Sequence, residues 1–157
     1  LRALAQLANA IYNPENSLLP PSLKTLISLS SSLAGGCMYC VAHTSSTSGR
    51  VGVDEKKIAA IWEFETSDLY SDAERVALRF AQSASSVPNM ATDADFADLR
   101  QYYGEEEIVE IVSVISLFGF LNRWNDTMAT DLEDDPVAFV ERALKDTDWD
   151  GSKHLGG

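Results

Sequence analysis

The segment from Glu105 to Met128 is the longest periodic stretch of this 157-residue chain and constrains its fold most strongly. Its apolar residues cover most of the circumference of a helix; they are Ile108, Val109, Ile111, Val112, Val114, Ile115, Leu117, Phe118, Phe120, Leu121 and Trp124. A helix that is apolar on nearly all sides must be surrounded by other elements. The apolar run between Glu110 and Asn122 is much shorter than the ~20 residues of a membrane span. The sequence therefore predicts a central buried helix in a water-soluble helical protein.

Shorter segments along the rest of the chain also carry helix signals. A Leu/Ala-rich stretch opens the chain, Pro20-Pro21-Ser22 precedes an apolar face, and two capping boxes begin at Ser71 and Thr92. We also predict helices over Val53–Phe64, from Thr92 through Tyr102, and over Val137–Leu144, and no strand pattern is evident. The sequence predicts an all-α, single-domain helical bundle over residues 1–157 with about six to eight helices. From about Asp146 we expect an acidic tail, or an arm on another subunit, with His154 in solvent.

The charge balance bears on the partners of the chain. The formal net charge is -12, which disfavours binding to nucleic acid or to anionic membranes. The opening residues lack the basic start, apolar run and small-residue cleavage site of a secretory signal. We therefore predict a cytoplasmic protein without a nucleic-acid or membrane partner. Because the sequence begins with Leu1, it leaves open whether residues precede it.

Both cysteines and one of the two histidines lie within seven residues, from Cys37 to His43. Gly35-Gly36 ends the preceding apolar run, so we expect a helix to begin at about Cys37. The spacing i, i+3, i+6 then makes Cys37, Cys40 and His43 neighbours along that helix. Free N–H groups and the positive end of the helix dipole stabilise a thiolate there, and His43 can take or return its proton.

Several chemistries fit such a cysteine pair. A disulfide between two cysteines this close would close only a very small loop and could not stabilise the fold. In a chain without an export signal, the pair therefore indicates redox or metal chemistry. A zinc site needs four ligands, and the chain offers two cysteines, His43 and at best one carboxylate. We therefore expect neither a metal nor a cofactor. A third reading is non-catalytic, with the cysteines as buried structural thiols of a redox-sensing scaffold.

The motif Cys37-Met38-Tyr39-Cys40-Val41-Ala42-His43 resembles that of the alkylhydroperoxidase D / carboxymuconolactone decarboxylase superfamily. The segments Leu23–Leu29 and Phe118–Asp126 are also similar, the latter to a peroxidase-related subgroup. The resemblance implies a small all-helical protein that forms homo-oligomers and reduces organic hydroperoxides or hydrogen peroxide. Its thiols would be regenerated by a dithiol reductant protein. The other named activity of the superfamily, a lactone decarboxylase (lyase), needs no cysteine pair and is the alternative.

The resemblance also implies roles for individual residues. By position, Cys40 matches the cysteine that attacks the peroxide, Cys37 the one that resolves it, and His43 the proton relay. Because disulfide geometry is strict, we expect the first turn of the helix to loosen slightly when the two sulfurs form a disulfide. Tyr39 would shape the pocket, donate a hydrogen bond or simply pack.

One departure from the superfamily pattern concerns its relay glutamate. Well-studied members carry this glutamate where the present chain has Thr25, and a threonine cannot act as a carboxylate base. We expect Glu107, Glu110 or Asp126, which follow a polar stripe on the long helix, to replace it or to form a polar wall of the site. The alternative for this stripe is close helix contact over small side chains.

Overall fold

The computed structural model describes residues 2–156, which contain eight α-helices and no strand. The helices are α1 (Arg2–Tyr12), α2 (Pro21–Ala34), α3 (Met38–Arg50), α4 (Glu55–Ala59), α5 (Asp72–Ser85), α6 (Asp93–Leu99), α7 (Glu105–Met128) and α8 (Asp134–Ala143). Short 3₁₀ helices follow α4 at Ala60–Glu63 and occupy Ser152–His154 near the end. The predicted all-α fold is confirmed. Across the described residues, no helix combines the length and apolarity needed to cross a bilayer.

Local sequence signals set most of the helix starts. Ser71 accepts the N–H of Glu74, whose carboxylate accepts the N–H of Ser71, and Thr92 and Asp95 form the same capping box. Both predicted starts are therefore confirmed. The prediction of helix α6 as far as Tyr102 is wrong, because α6 ends at Leu99 and the chain continues in turns up to Gly104.

The interior of the protein is organised around α2, which packs against α3, α5 and α7. Leu26, Ile27 and Leu29 of α2 are almost completely buried among these helices. Helix α7 buries Ile111, Val114 and other residues on one side only. Its opposite side leaves apolar side chains exposed, with Val109 65% and Met128 64% accessible. The prediction that neighbours surround α7 on all sides is therefore wrong for this chain alone.

A buried ion pair joins α2 to α7 at the end of the bundle far from the cysteines. Lys24 has a side chain only 2% exposed, and its ammonium group pairs with the carboxylate of Glu110. Glu110 also accepts hydrogen bonds from the hydroxyl of Ser17 (2.6 Å) and the N–H groups of Leu18 (2.9 Å) and Leu19 (3.2 Å). Burial opposes ionisation of Glu110, but these donors outweigh it and lower the pKa of Glu110. The pair thus fixes the loop between α1 and α2 against α7.

Residues 145–156, called the C-terminal segment below, fold back onto the chain. The indole N–H of Trp149 donates to the carbonyl of Met38 (3.2 Å), and the N–H of Leu132 donates to the carbonyl of His154 (2.7 Å). The segment expected as an acidic tail, or as an arm on another subunit, thus packs on its own chain. The prediction of a solvent-exposed His154 is wrong, since the imidazole is 0% exposed. The segment carries few apolar residues, but Trp149 and the backbone bonds are enough to hold it.

We expect Glu110→Gln to destabilise the protein by about 3 kcal/mol at pH 7, because Lys24 then stays buried without its counter-charge. Urea unfolding at several pH values measures the effect. The folded-state pKa of Glu110 is lowered, so its contribution is present above the unfolded pKa and is lost as the pH falls through the folded one. The difference between wild type and variant should therefore shrink in acid. Glu105→Gln, on the exposed first turn of the same helix, should change stability much less; equal effects would contradict the role of the buried pair.

Candidate functional site

The turn between α2 and α3 positions the first cysteine. Gly36 has φ of +68°, in the left-handed region that favours glycine, and the N–H of Cys37 donates to the carbonyl of Ser32 (3.2 Å). Cys37 itself has an extended backbone (φ −92°, ψ 96°) and is the N-cap of α3, so the helix begins at Met38. The predicted helix start is thus confirmed, with Cys37 one residue outside the helix.

The extended backbone of Cys37 brings the two sulfurs together. The Sγ atoms of Cys37 and Cys40 are 2.8 Å apart, and the N–H of Cys40 donates to Sγ of Cys37 (3.3 Å). Both cysteines are free thiols, and their separation exceeds the ~2.05 Å of a disulfide bond. The sulfurs thus reach contact without loosening of the helix, because the N-cap residue is free of helical geometry. The expected loosening of the first turn during disulfide formation stays a prediction.

The hydrogen bond between these sulfurs makes the two thiols differ in acidity. Between the two neutral thiols, Cys37 donates to the sulfur of Cys40. Once Cys37 is ionised, its sulfur, which already accepts the backbone N–H of Cys40, accepts the S–H of Cys40 instead. This hydrogen bond lowers the pKa of Cys37 even though burial opposes it. The same bond, followed by burial, raises the pKa of Cys40. The geometry thus stabilises the first negative charge on Cys37.

Both sulfurs lie beneath neighbouring elements. Cys37 is 0% and Cys40 2% exposed. The amide of Asn125, near the end of α7, donates to Sγ of Cys40 at 3.6 Å, and Trp149 of the C-terminal segment bonds to Met38, the residue after Cys37. A substrate must therefore displace part of this cover or reach the sulfurs through local opening.

His43 points to a carboxylate that sequence reasoning missed. Its Nε2 lies 2.7 Å from Oε2 of Glu133, and the hydroxyl of Tyr39 donates to Oε1 of the same group (3.3 Å). The rings of Tyr39 and His43 are 4.4 Å apart. Burial raises the pKa of Tyr39 to about 12, with the charge of Glu133 as a further cause. Burial opposes ionisation of Glu133, but its bonds from the backbone and from His43 lower its pKa.

The signal for Glu133 lies in the start of α8. Starting this helix at Val137 leaves Glu133 in a loop. The structure starts it at Asp134, with Glu133 as the N-cap and Pro136 in the first turn, where proline is well tolerated. Pro136 is therefore the sequence signal: a proline in the first turn places the start of α8 directly after Glu133.

Asp126 is the one polar-stripe carboxylate that lies near the cysteine pair. It follows Asn125 in the last turn of α7, and its Oδ1 lies 2.9 Å from Nζ of Lys153 and 3.8 Å from Nε2 of His154. The ring of His154 is 5.9 Å from that of Tyr39. The C-terminal segment thus contributes an ammonium group and an imidazole to the surroundings of Asp126.

Glu107 and Glu110 lie at the other end of α7. Glu107 accepts the N–H of Gly104 (2.7 Å) and so caps the helix, while Glu110 pairs with Lys24. At 1.5 Å per residue they are about 27 Å and about 22 Å from Asn125 along the helix axis. The structure does not bring these two carboxylates together with the cysteines. Within residues 2–156, no group of three or more His, Cys, Asp or Glu side chains is arranged to hold a metal ion.

Comparison with known proteins agrees with the fold. The model of the carboxymuconolactone decarboxylase family matches residues 1–83, just over half of the chain. The uncharacterized protein YnjA of Escherichia coli is 29% identical over 114 residues, which are 73% of this chain and 63% of YnjA. The chain therefore spans less than two thirds of the length of this relative.

Two kinds of solved structure are similar to the protein. The debrominase Bmp8 is 40% identical with a TM-score of 0.82, covering 89% of this chain and 74% of its own. A cysteine-to-alanine variant of Bmp8 was solved in complex with 2,3,4-tribromopyrrole. A peroxidase-related protein from Ralstonia eutropha with an alkylhydroperoxidase AhpD core is 21% identical, with a TM-score of 0.78 and coverage of 88% and 72%. At that identity, the second likeness shows the fold alone.

We expect Cys37 to be alkylated by iodoacetamide at lower pH than Cys40, because its thiolate accepts the Cys40 hydrogen bonds. Fragment-ion mass spectrometry of the peptide that contains both cysteines, taken over a pH series, measures the order. Cys40→Ala removes the thiol donor and should slow alkylation of Cys37 several-fold at neutral pH. Cys37→Ala should instead let Cys40 react at lower pH than in the wild type. Earlier reaction of Cys40 in the wild-type protein would contradict this assignment.

Proposed function

Because the chain belongs to the carboxymuconolactone decarboxylase family and holds two cysteine sulfurs 2.8 Å apart, we propose that it is a thiol-dependent peroxidase. Its substrates would be organic hydroperoxides or hydrogen peroxide. The observation that carries the proposal is the pairing of the sulfurs, since a lyase or a scaffold has no need of two thiols in contact. A lowered pKa of Cys37 further supports a nucleophilic sulfur.

The proposed cycle is balanced in atoms and electrons. A thiol ionises, and its thiolate attacks the peroxide and breaks the O–O bond. The distal oxygen stays on sulfur as a sulfenic acid, and the proton that the thiol released goes to the other oxygen, which leaves as an alcohol or water. The second thiol condenses with the sulfenic acid, giving a disulfide and water. A dithiol reductant protein then reduces the disulfide by exchange and is itself oxidised. This cycle needs a reducing compartment, so we propose the cytoplasm.

The order of attack within the pair stays a prediction. Resemblance assigns attack to Cys40 and resolution to Cys37, whereas the hydrogen bonds in the dithiol form favour the anion on Cys37. Both orders end in the same disulfide. Variants with a single cysteine distinguish them, because only the attacking sulfur forms a sulfenic acid by itself.

We also propose a replacement for the relay glutamate that is absent at Thr25. His43 follows Cys40 by nearly one helical turn and is bound to Glu133 at 2.7 Å. A histidine oriented by a carboxylate is suited to pass protons near neutral pH. Tyr39 donates to the other oxygen of Glu133 (3.3 Å) and so helps to orient this carboxylate.

The 40% identity to debrominase Bmp8 favours reductive dehalogenation as a second candidate. A dithiol supplies the same two electrons to a brominated heteroaromatic ring as to a peroxide. The carbon–bromine bond is replaced by a carbon–hydrogen bond, the two thiols become a disulfide, and bromide and a proton leave. The distinction between the candidates therefore depends on which electrophile reaches the sulfurs.

We expect the purified protein to consume cumene hydroperoxide in the presence of dithiothreitol, and Cys37→Ser and Cys40→Ser each to lower turnover by at least about a hundredfold, because each breaks the disulfide cycle. Ferrous–xylenol orange detection of residual peroxide measures the rate. Ser48→Ala, a buried change elsewhere in the same helix, is the matched control and should retain turnover.

The same preparation should be offered a brominated pyrrole, with release of bromide as the readout. Debromination without peroxide turnover would replace the first candidate by the second. Decarboxylation of a carboxymuconolactone that survives loss of both cysteines would establish the lyase. Thiols that stay inert towards every substrate would leave the scaffold reading.

A homo-oligomer is the assembly we propose, and the apolar side of α7 supports it. Val109, Val112 and Phe120 are exposed there, and with Leu7 of α1 they line a groove of about 720 Å³. Trp124 and Met128 extend this apolar face towards the end of α7. Contiguous apolar surface of this kind favours association. A second copy is the proposed occupant because superfamily resemblance implies homo-oligomers. The charged residues that line the groove, Arg100 and Glu105, pair with each other (2.7 Å) and so leave no uncompensated charge against an identical partner.

We expect the wild-type protein to migrate as an oligomer in size-exclusion chromatography with light scattering. Val109→Glu should shift it to the monomer mass, because a carboxylate would be buried between two copies. Glu106→Gln, a change of charge in the preceding turn of the helix, should leave the mass unchanged. A monomeric wild-type protein at micromolar concentration would refute the assembly.

A further inference from the structure

The C-terminal segment brings a buried imidazole next to Asp126, and the proposed cycle does not use it. His154 is 0% exposed, and its Nδ1 lies 2.9 Å from the carbonyl oxygen of Thr130. A carbonyl oxygen only accepts, so Nδ1 must carry a hydrogen and donate it. In the neutral ring the other nitrogen, Nε2, is therefore a bare acceptor.

Nε2 of His154 faces another acceptor. Among residues 2–156 it has no hydrogen-bond partner, and Oδ1 of Asp126 lies 3.8 Å away. A buried polar atom without a partner is uncommon and requires an explanation. One proton on Nε2 removes the defect, because the imidazolium donates from Nδ1 to Thr130 and from Nε2 towards Asp126. A proton at this position would therefore give both ring nitrogens an acceptor.

The groups that face this imidazole link it to the cysteines. They are Asp126 from α7 (3.8 Å) and the ring of Tyr39 from α3 (5.9 Å), and Asp126 also pairs with Lys153 of the same segment (2.9 Å). The bond between the thiols and their burial act most strongly on them, but the charge of Asp126 also raises the pKa of both cysteines, while Lys153 lowers that of Cys37. The negative charge of Asp126 thus opposes the thiolate that the proposed reaction needs.

We propose that His154 is a positioning residue that holds a proton against Asp126 while Cys37 is ionised, and so screens the thiolate from this carboxylate. The inference rests on the proposed function, since it names the control of the proton at the same site. The step moves one proton and no electrons: the S–H bond of Cys37 breaks and an N–H bond forms at Nε2. A thiolate and an imidazolium–carboxylate pair replace a thiol and an unpaired buried nitrogen.

Two variants separate this role from simple coverage of the site. His154→Asn keeps an amide N–H near the position of Nδ1, and His154→Gln puts its amide near the position of Nε2; neither binds a proton. In both variants, alkylation of Cys37 by iodoacetamide should be about tenfold slower at pH 7, with its midpoint at higher pH. The plateau rate at high pH reports access to the sulfur. A faster plateau rate of Cys37 alkylation with an unchanged pH midpoint would overturn the inference. Such a result would mean that the C-terminal segment only shields the sulfur from the reagent.

A measurement on the wild-type protein keeps the inference testable if either variant fails to fold. The chain has two histidines, so ¹⁵N spectra of their rings can be assigned with His43→Gln. The titration of Nε2 of His154 should differ between the dithiol and the disulfide form, because oxidation removes the thiolate to which it is coupled. Identical titrations in the two forms would refute the coupling.

The experiments distinguish failure of the proposed role of His154 from failure of the proposed peroxidase function. Wild-type thiols that are both inert at neutral pH would refute the proposed function and leave no ionisation for His154 to support. Reactive wild-type thiols, with the same midpoint in both His154 variants, would refute only the proton-holding role.

Discussion

The contact between the two sulfurs depends on the position of Cys37 one residue outside helix α3. Within a helix, residues three apart are neighbours, but both backbones are held in helical geometry. An N-cap residue is free of this restraint, and the extended backbone of Cys37 directs its sulfur to the first turn, where it replaces the usual oxygen as acceptor of the Cys40 N–H. The same bond that caps the helix therefore also stabilises negative charge on sulfur.

Keeping this pair in place requires rigid elements around it. The most buried helix, α2, leads into the turn at Gly36, and the last turn of α7 contacts Cys40 through Asn125. At the far end of the same two helices, Lys24 and Glu110 form their buried pair. Two helices fixed relative to one another at one end have little freedom to slide at the other. The ion pair, although about 22 Å from the site along α7, thereby restrains the geometry at the sulfurs.

Features encoded within a few residues could be predicted from the sequence. The two capping boxes, the start of α3 and the extent of α7 each depend on local spacing, and the structure agrees with them. The partners of the site come from distant positions, and no local pattern specifies them. Glu133 reaches His43 across 90 positions of sequence, and the C-terminal segment returns to Met38 across 111. The exposure of Val109 also escaped prediction, because periodicity shows that a face is apolar but not what covers it.

On the proposed function, the residues that cover the cysteines, more than the cysteines themselves, would decide which electrophile reacts. A dithiol can deliver two electrons to an oxygen–oxygen or a carbon–bromine bond, so the cysteine pair by itself leaves the substrate undetermined. With the sulfurs 0% and 2% exposed, this selection would take place at α7, the start of α8 and the C-terminal segment. Asn125 lies on α7, Glu133 is the N-cap of α8, and Trp149 lies on the C-terminal segment; each bonds to the cysteine helix. Substitutions in this cover can change the substrate while the reaction at sulfur remains the same, which is how one fold can include both peroxidase-related proteins and a debrominase.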